Sequence, residues 1–172
     1  GDKDRFVLQL LSTMLGSGMS SRLWQEVREK RGLCYSIYTY GAGHAETGVF
    51  AVYTALGRDT EREALETILQ VIADFAEHGP APEELERARE LSKANVLMGL
   101  ESTQSRMSHA GRSLLFSGEI LTPEQIIAAY DSVTHEDVVA LAQEIFRWDQ
   151  VSLSAVGQVR TAEAYRALVL EA

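Results

Sequence analysis

The histidines are the first residues to consider for chemistry, because imidazole is the commonest metal ligand and a frequent general base. The sequence has four of them, His44, His78, His109 and His135. None occurs in a His-x-x-Glu-His zinc motif or its reverse. His78 precedes a glycine that ends a helix, and His135 falls in the first turn of another, so both are interpreted as helix-end residues. The histidine pattern therefore predicts no metal site in this chain.

Other sequence features supply no catalytic set either. The single cysteine, Cys34, lies between Leu33 and Tyr35, a position that favours a small buried hydrophobe, and it has no partner for an internal disulfide. A reducing compartment fits this cysteine content, and we expect a cytoplasmic protein. No serine has a Gly-x-Ser-x-Gly frame, and the Gly-Ser-Gly at 16–18 lacks the strand and the Gly-Lys-Ser/Thr of a phosphate loop. The residues alone show no nucleophile, base and metal together.

Composition and charge limit the partners. The 172 residues are enough for one domain with a core, and we expect residues 1–172 to form a single domain. The net charge of −9 argues against binding to nucleic acid, whose phosphates need a basic face, and against docking on anionic membranes. No apolar run approaches the ~20 residues of a membrane span. Residues 1–4 lack the basic-then-apolar order of a signal peptide.

Hydrophobic periodicity and helix-end signals predict an α+β fold. Predicted helices span residues 6–15, 22–30, 59–77, 82–98, 101–116, 122–130, 138–146 (after a start signal at 134–137) and 161–170. Predicted strands span residues 34–40, 48–56 and 151–156, of which the first two form a hairpin or meander. We expect an antiparallel or mixed sheet covered by helices mainly on one face. Because the chain opens on a helix, we also expect this sheet to lack a strand that the intact protein supplies.

The predicted core follows from the apolar stripes of these helices. It consists of Phe6, Leu10, Leu65, Ile68, Leu69, Ile72, Phe75, Val138 and Leu141. Glycines at 16, 18 and 32 are assigned to turns and helix ends.

One long segment carries a family resemblance. Residues 15–36, LGSGMSSRLWQEVREKRGLCYS, are similar to the segment that follows the first strand in each half of the M16 peptidases. This is the insulinase and mitochondrial-processing-peptidase group, in its bacterial M16B branch. Residues 101–107 and 130–138 fall in the order expected for the family, so the resemblance covers about residues 5–157.

The resemblance implies a role as one half of an enzyme. Active members pair two homologous halves, and the N-terminal half carries His-x-x-Glu-His and a distal Glu, whereas the C-terminal half usually lacks them. This chain lacks the motif, so it resembles the zinc-free C-terminal half, of LuxS/MPP-like fold. The resemblance implies no cofactor in this chain and zinc in a homologous N-terminal half, fused or separate. It also implies a peptide substrate for the parent zinc metalloendopeptidase, with a homodimer as an alternative assembly.

Two site residues follow from the resemblance. In active members the C-terminal half contributes an Arg and a Tyr seven residues apart, which match Arg28 and Tyr35 here. Their family roles are to bind the substrate backbone and to steady the oxyanion, and the chemistry fits a multi-donor guanidinium and an uncharged phenol. The alternatives are that Arg28 only complements a helix dipole, that Tyr35 is a half-buried strand aromatic, or that Arg31 is the true contact.

Two other functional readings stay open at this stage. The chain could be a non-catalytic scaffold or assembly subunit of the same family, which would have no need of the Arg28 and Tyr35 pair. It could also be an unrelated α+β regulatory or ligand-binding module, which would leave the long 15–36 segment unexplained.

Overall fold

The computed structural model describes residues 2–43 and 47–170, so His44 lies outside it. The described residues form seven α-helices, one β-hairpin and two shorter helical segments, Trp24–Glu29 and Trp148–Gln150. The helices are α1 (Asp2–Gly16), α2 (Glu61–His78), α3 (Pro82–Gly99), α4 (Thr103–Ser117), α5 (Pro123–Asp131), α6 (His135–Ile145) and α7 (Ala162–Leu170). The strands are β1 (Cys34–Gly43) and β2 (Gly48–Leu56).

The hairpin is antiparallel, and helices cover one of its faces. Tyr38 pairs with Tyr53 across the strands. Ile37 and Thr39 of β1 are buried, whereas Tyr38 and Tyr40 are exposed, as the alternation of side chains along a strand requires. The predicted α+β arrangement with helices on one face of an antiparallel sheet is confirmed.

Helix α1 and strand β1 are joined by hydrogen bonds between two buried polar residues, Ser12 and Thr39. Thr39 Oγ1 donates to the carbonyl oxygen of Ser12 at 2.9 Å, and the two hydroxyl oxygens are also 2.9 Å apart. Because both hydroxyls find partners inside the core, neither is left as an unsatisfied buried group.

The core has two parts. The first core cluster joins α1 to α2, α3, α5 and α6, and the second core cluster joins β1 and α2 to the segment between α1 and β1. The first comprises Phe6, Val7, Leu10, Leu11, Met14, Leu15, Phe75, Leu85, Ala88, Ile126, Tyr130, Val133, Val138 and Ala142. The second comprises Leu23, Val27, Leu33, Ile37, Ala64, Ile68 and Ile72.

Most of the predicted core is buried, and two residues are not. Phe6, Leu10, Ile68, Leu69, Ile72, Phe75 and Val138 are all buried. Leu65 and Leu141 are only half-buried, so their prediction as core is wrong. In each case an adjacent alanine, Ala64 or Ala142, is the fully buried residue.

The predicted strand at residues 151–156 is wrong. A short 3-10 turn, Trp148–Gln150, precedes this segment, and the segment itself is exposed, with Val156 fully so. Within residues 2–43 and 47–170 no other backbone group hydrogen-bonds to the backbone of this segment. Alternating apolar residues make a strand only where a neighbouring strand completes the ladder, and the described part of the chain provides none there.

Candidate functional site

The segment before β1 is a π-helix, Trp24–Glu29. The amide of Lys30 donates to the carbonyl of Gln25 at 2.9 Å, five residues back. The α-helix predicted over 22–30 therefore exists as a helix of a different type. Single π-turns are uncommon and occur often at functional sites.

Arg22 holds the start of this π-helix against the α2–α3 connection. Its Nε and Nη2 donate to the two carboxylate oxygens of Glu84, each at 2.9 Å. Nη1 bonds Asp74 at 3.0 Å, and Nη2 also donates to the carbonyl of Gly79 at 2.8 Å. Since Glu84 is buried, this bidentate pair is shielded from solvent and fixes the helix by geometry as well as charge.

The guanidinium of Arg28 lies against two aromatic rings. Its Cζ is 3.9 Å from the centroid of the Trp24 ring and 5.0 Å from that of Tyr35. Among the described residues, the Arg28 side chain makes no hydrogen bond or ion pair, so its N–H donors stay uncommitted there. The structure therefore brings together Arg28 and Tyr35, the two residues singled out from the sequence.

Tyr35 lies at a β-bulge. Cys34 pairs with Leu56 and Ser36 with Ala55, which leaves Tyr35 without a partner between them. A bulge redirects a side chain that regular pairing would place otherwise. Tyr35 is 82% exposed, so the interpretation of it as a half-buried strand aromatic is wrong.

Arg31, the alternative candidate for the substrate contact, is paired with Glu26 on the same segment. Its Nη1 donates to the carboxylate of Glu26 at 2.7 Å and to the Glu26 carbonyl at 2.8 Å. Hydrogen bonds from Lys30 and then Arg31 lower the pKa of Glu26. Arg28 and Arg31 therefore differ in environment although they are three residues apart.

Trp24 is the site residue that sequence reasoning missed. It precedes Arg28 by four residues, a spacing that places two side chains on the same side of a helix. An aromatic four residues before a candidate arginine is the signal that could have identified it, since aromatic faces bind guanidinium groups.

The described histidines lie apart from this site, next to backbone carbonyls. His135 Nε2 is 3.3 Å from the carbonyl of His78, and His109 Nε2 is 3.4 Å from that of Leu121. Over residues 2–43 and 47–170 no three His, Cys, Asp or Glu side chains are grouped so as to hold a metal ion. Cys34 is half-buried beside the second core cluster rather than fully buried.

No helix in the described ranges has the length and apolar character needed to cross a membrane.

Comparison with known proteins gives consistent matches. Residues 1–92 match the sequence model of the peptidase M16 inactive domain. The chain is 38% identical over 165 residues to an uncharacterized zinc protease of Streptomyces coelicolor, covering 96% of this chain and 36% of that protein. It is 36% identical over 149 residues to one of Bacillus subtilis, covering 87% of this chain and 36% of that protein. The chain thus spans about a third of the length of these relatives.

Solved structures agree. An M16 inactive domain from Pseudomonas fluorescens superposes with a TM-score of 0.75 at 25% identity, covering 84% of this chain and 34% of that one. An inactive peptidase domain from Bordetella parapertussis gives a TM-score of 0.70 at 20% identity, with 84% of this chain and 78% of that chain covered. The second likeness shows the shared fold alone.

Proposed function

Since the chain belongs to the M16 peptidase family, through its inactive domain, we propose that it is the substrate-positioning half of a zinc-dependent endopeptidase. One observation carries the proposal. Arg28, with donors uncommitted among the described residues, lies 5.0 Å from the ring of the exposed Tyr35. The Arg28 guanidinium and the Tyr35 hydroxyl can both bind a peptide backbone. They lie close together, one on the π-helix and the other on strand β1.

Each side chain has a distinct part in this proposal. The fork of Arg28 donates hydrogen bonds to carbonyl oxygens of an extended peptide, which a guanidinium does with fixed geometry. The Tyr35 hydroxyl donates to the oxygen that becomes negative when the scissile carbonyl is attacked, without bringing a full charge of its own. Both groups act by position, and neither supplies a nucleophile.

The zinc belongs to a homologous N-terminal half, fused or separate, in this proposal. When bound there, zinc would polarise the scissile carbonyl and activate water. The described residues of this chain offer no group of ligands that fits the ion. The substrates are peptides or unfolded protein segments. A cytoplasmic location, which the single cysteine supports, is open to test by fractionation.

The experiment uses the intact parent enzyme with its zinc half. Tyr35→Phe removes one donor and keeps the ring, so kcat should fall by about 10²–10³ with folding unchanged. Arg28→Lys keeps the charge and loses the fork, so turnover should also fall. Arg31→Ala is the matched control and should stay near wild type.

Zinc content, measured on each variant, should be the same as in wild type because no ligand is touched. Wild-type rates in both Tyr35→Phe and Arg28→Lys, or a larger loss in Arg31→Ala, would refute the proposed contacts. Wild-type rates would instead favour the alternative, a scaffold or assembly subunit of the same family, for which the pair has no use. The description of the matching family domain as inactive is compatible with that alternative.

A further inference from the structure

The Trp24 ring contacts the Arg28 guanidinium along one side of the π-helix. We propose that Trp24 is a positioning residue, whose indole face holds the Arg28 guanidinium so that its N–H donors stay available to a peptide. The inference rests on the proposed function of Arg28, and it adds a residue that the family resemblance did not single out. The observation behind it is the 3.9 Å separation between Arg28 Cζ and the Trp24 ring centroid.

The way in which Arg28 is held differs from that of its neighbours. Arg22 directs its donors at Glu84, Asp74 and a carbonyl, and Arg31 directs Nη1 at Glu26. A carboxylate partner occupies N–H donors and offsets the positive charge. An aromatic face attracts the cation through its π-electrons and leaves the N–H donors at the edge of the guanidinium plane free. A stacked arginine is therefore fixed in place and still able to bind carbonyl oxygens.

Trp24 itself has a firm support. It is half-buried and packs against the second core cluster. The other ring near Arg28, that of Tyr35, is 82% exposed and so is less restrained by packing. Of the two rings beside Arg28, that of Trp24 is therefore the one held in place by packing. Without the indole, the Arg28 side chain should become more mobile.

The π-helix makes this contact along its own surface. Trp24 and Arg28 are its first and fifth residues, and five-residue hydrogen bonding widens each turn. Residues four apart then remain on the same side, so the indole and the guanidinium can meet without a distortion elsewhere. The helix type and the stack are consistent with each other.

The test measures kcat/KM for peptide cleavage by the intact parent enzyme. Trp24→Leu removes the aromatic face and should lower kcat/KM by about tenfold. Trp24→Phe restores a ring and should recover most of that loss. Trp148→Leu is the matched control, because Trp148 is also half-buried against the second core cluster. It should stay near wild type.

The double variant Trp24→Leu/Arg28→Ala separates positioning from a general effect on folding. If Trp24 acts through Arg28, its replacement should cost nothing further once Arg28 is alanine. A full tenfold loss on top of Arg28→Ala would overturn the inference, because Trp24 would then act by another route. Thermal melts check folding, and Trp24→Met, which fills the site with a flexible apolar chain, replaces Trp24→Leu if the latter does not fold.

Failure of the positioning role of Trp24 can be distinguished from failure of the proposed function of Arg28. A wild-type rate in a folded Trp24→Leu or Trp24→Met variant, with a reduced rate in Arg28→Ala, overturns the positioning role and leaves the proposed function standing. A wild-type rate in Arg28→Ala overturns both.

Discussion

Gly16 at the end of α1 and Thr39 in β1 lie closer than a side chain at position 16 would allow. A Cβ built on Gly16 would be 2.4 Å from Thr39 Cγ2 and 2.6 Å from the Thr39 amide nitrogen. The glycine thus does more than end a helix, the role assigned to it from the sequence. It allows α1 to approach the strand closely enough for Ser12 and Thr39 to bond.

Gly16→Ala should therefore destabilise the protein by about 2–3 kcal/mol, because backbone as well as side-chain atoms must move to admit the methyl group. Denaturant unfolding measures the loss. Gly111→Ala is the matched control. Gly111 lies within α4 with nothing near its missing Cβ, so this change should be neutral or stabilising by up to about 1 kcal/mol. Equal effects at both positions would contradict the importance of the close approach.

Arg22 should be far more important for stability than Arg31, although both pair with a glutamate. Arg22→Met leaves the buried carboxylate of Glu84 without its cation and should cost about 3 kcal/mol. Arg31→Met breaks an exposed pair and should cost less than about 1 kcal/mol. Chemical denaturation of the two variants side by side provides the comparison, and similar midpoints would show that the Arg22–Glu84 pair does not anchor the π-helix.

How much the sequence could predict depends on whether a feature is local. Helix starts can be predicted because the capping residue and its partner are three residues apart. The Thr122 side chain accepts a hydrogen bond from the amide of Gln125, and the Thr134 side chain accepts one from the amide of Asp137. The strand predicted at 151–156 is absent because a strand needs a hydrogen-bonding partner, which the spacing of apolar residues cannot supply. Within the site, the Arg28 and Tyr35 pair came from the family resemblance, whereas the stack on Trp24 depends on a π-turn that no periodicity analysis distinguishes from an α-turn.

Acid should weaken the protein partly through Glu61. The hydrogen bond from the Tyr165 hydroxyl, followed by that from Arg160, lowers the pKa of Glu61 below its ordinary value of 4.5. The folded state therefore favours the carboxylate, and this contribution is fully present above pH 4.5 and lost as pH falls through the lowered pKa. Glu61→Gln should melt at a lower temperature than wild type at pH 7, with a difference that shrinks below pH 4.5.

The control for this pH effect is Glu63→Gln, on the same helix α2 and exposed. It should change the melting temperature little at any pH. A Glu61→Gln difference that stays constant from pH 7 to pH 3 would show that the Tyr165 and Arg160 contacts do not favour the charged form.

Zinc should neither bind tightly to this chain nor stabilise it. A zinc site needs three or four grouped ligands, and the described residues contain no such group. His135 and His109 lie next to backbone carbonyls, and His78 is 3.1 Å from Asp74. Metal analysis of the purified chain should therefore find far less than one zinc per molecule, and a chelator should leave its melting temperature unchanged.

Two variants make this test decisive. His135→Ala removes the histidine whose Nε2 lies 3.3 Å from the carbonyl oxygen of His78, and His44→Ala removes the one outside the described residues. Neither change should alter the metal content. Stoichiometric zinc that is lost in either variant would show that the chain has a metal site of its own, and zinc chemistry would then no longer be assigned to the homologous half alone. A melting temperature that falls when chelator is added would also contradict the expectation that the chain binds no zinc. An ion that binds only the folded state raises the melting temperature by mass action, so its removal lowers that temperature.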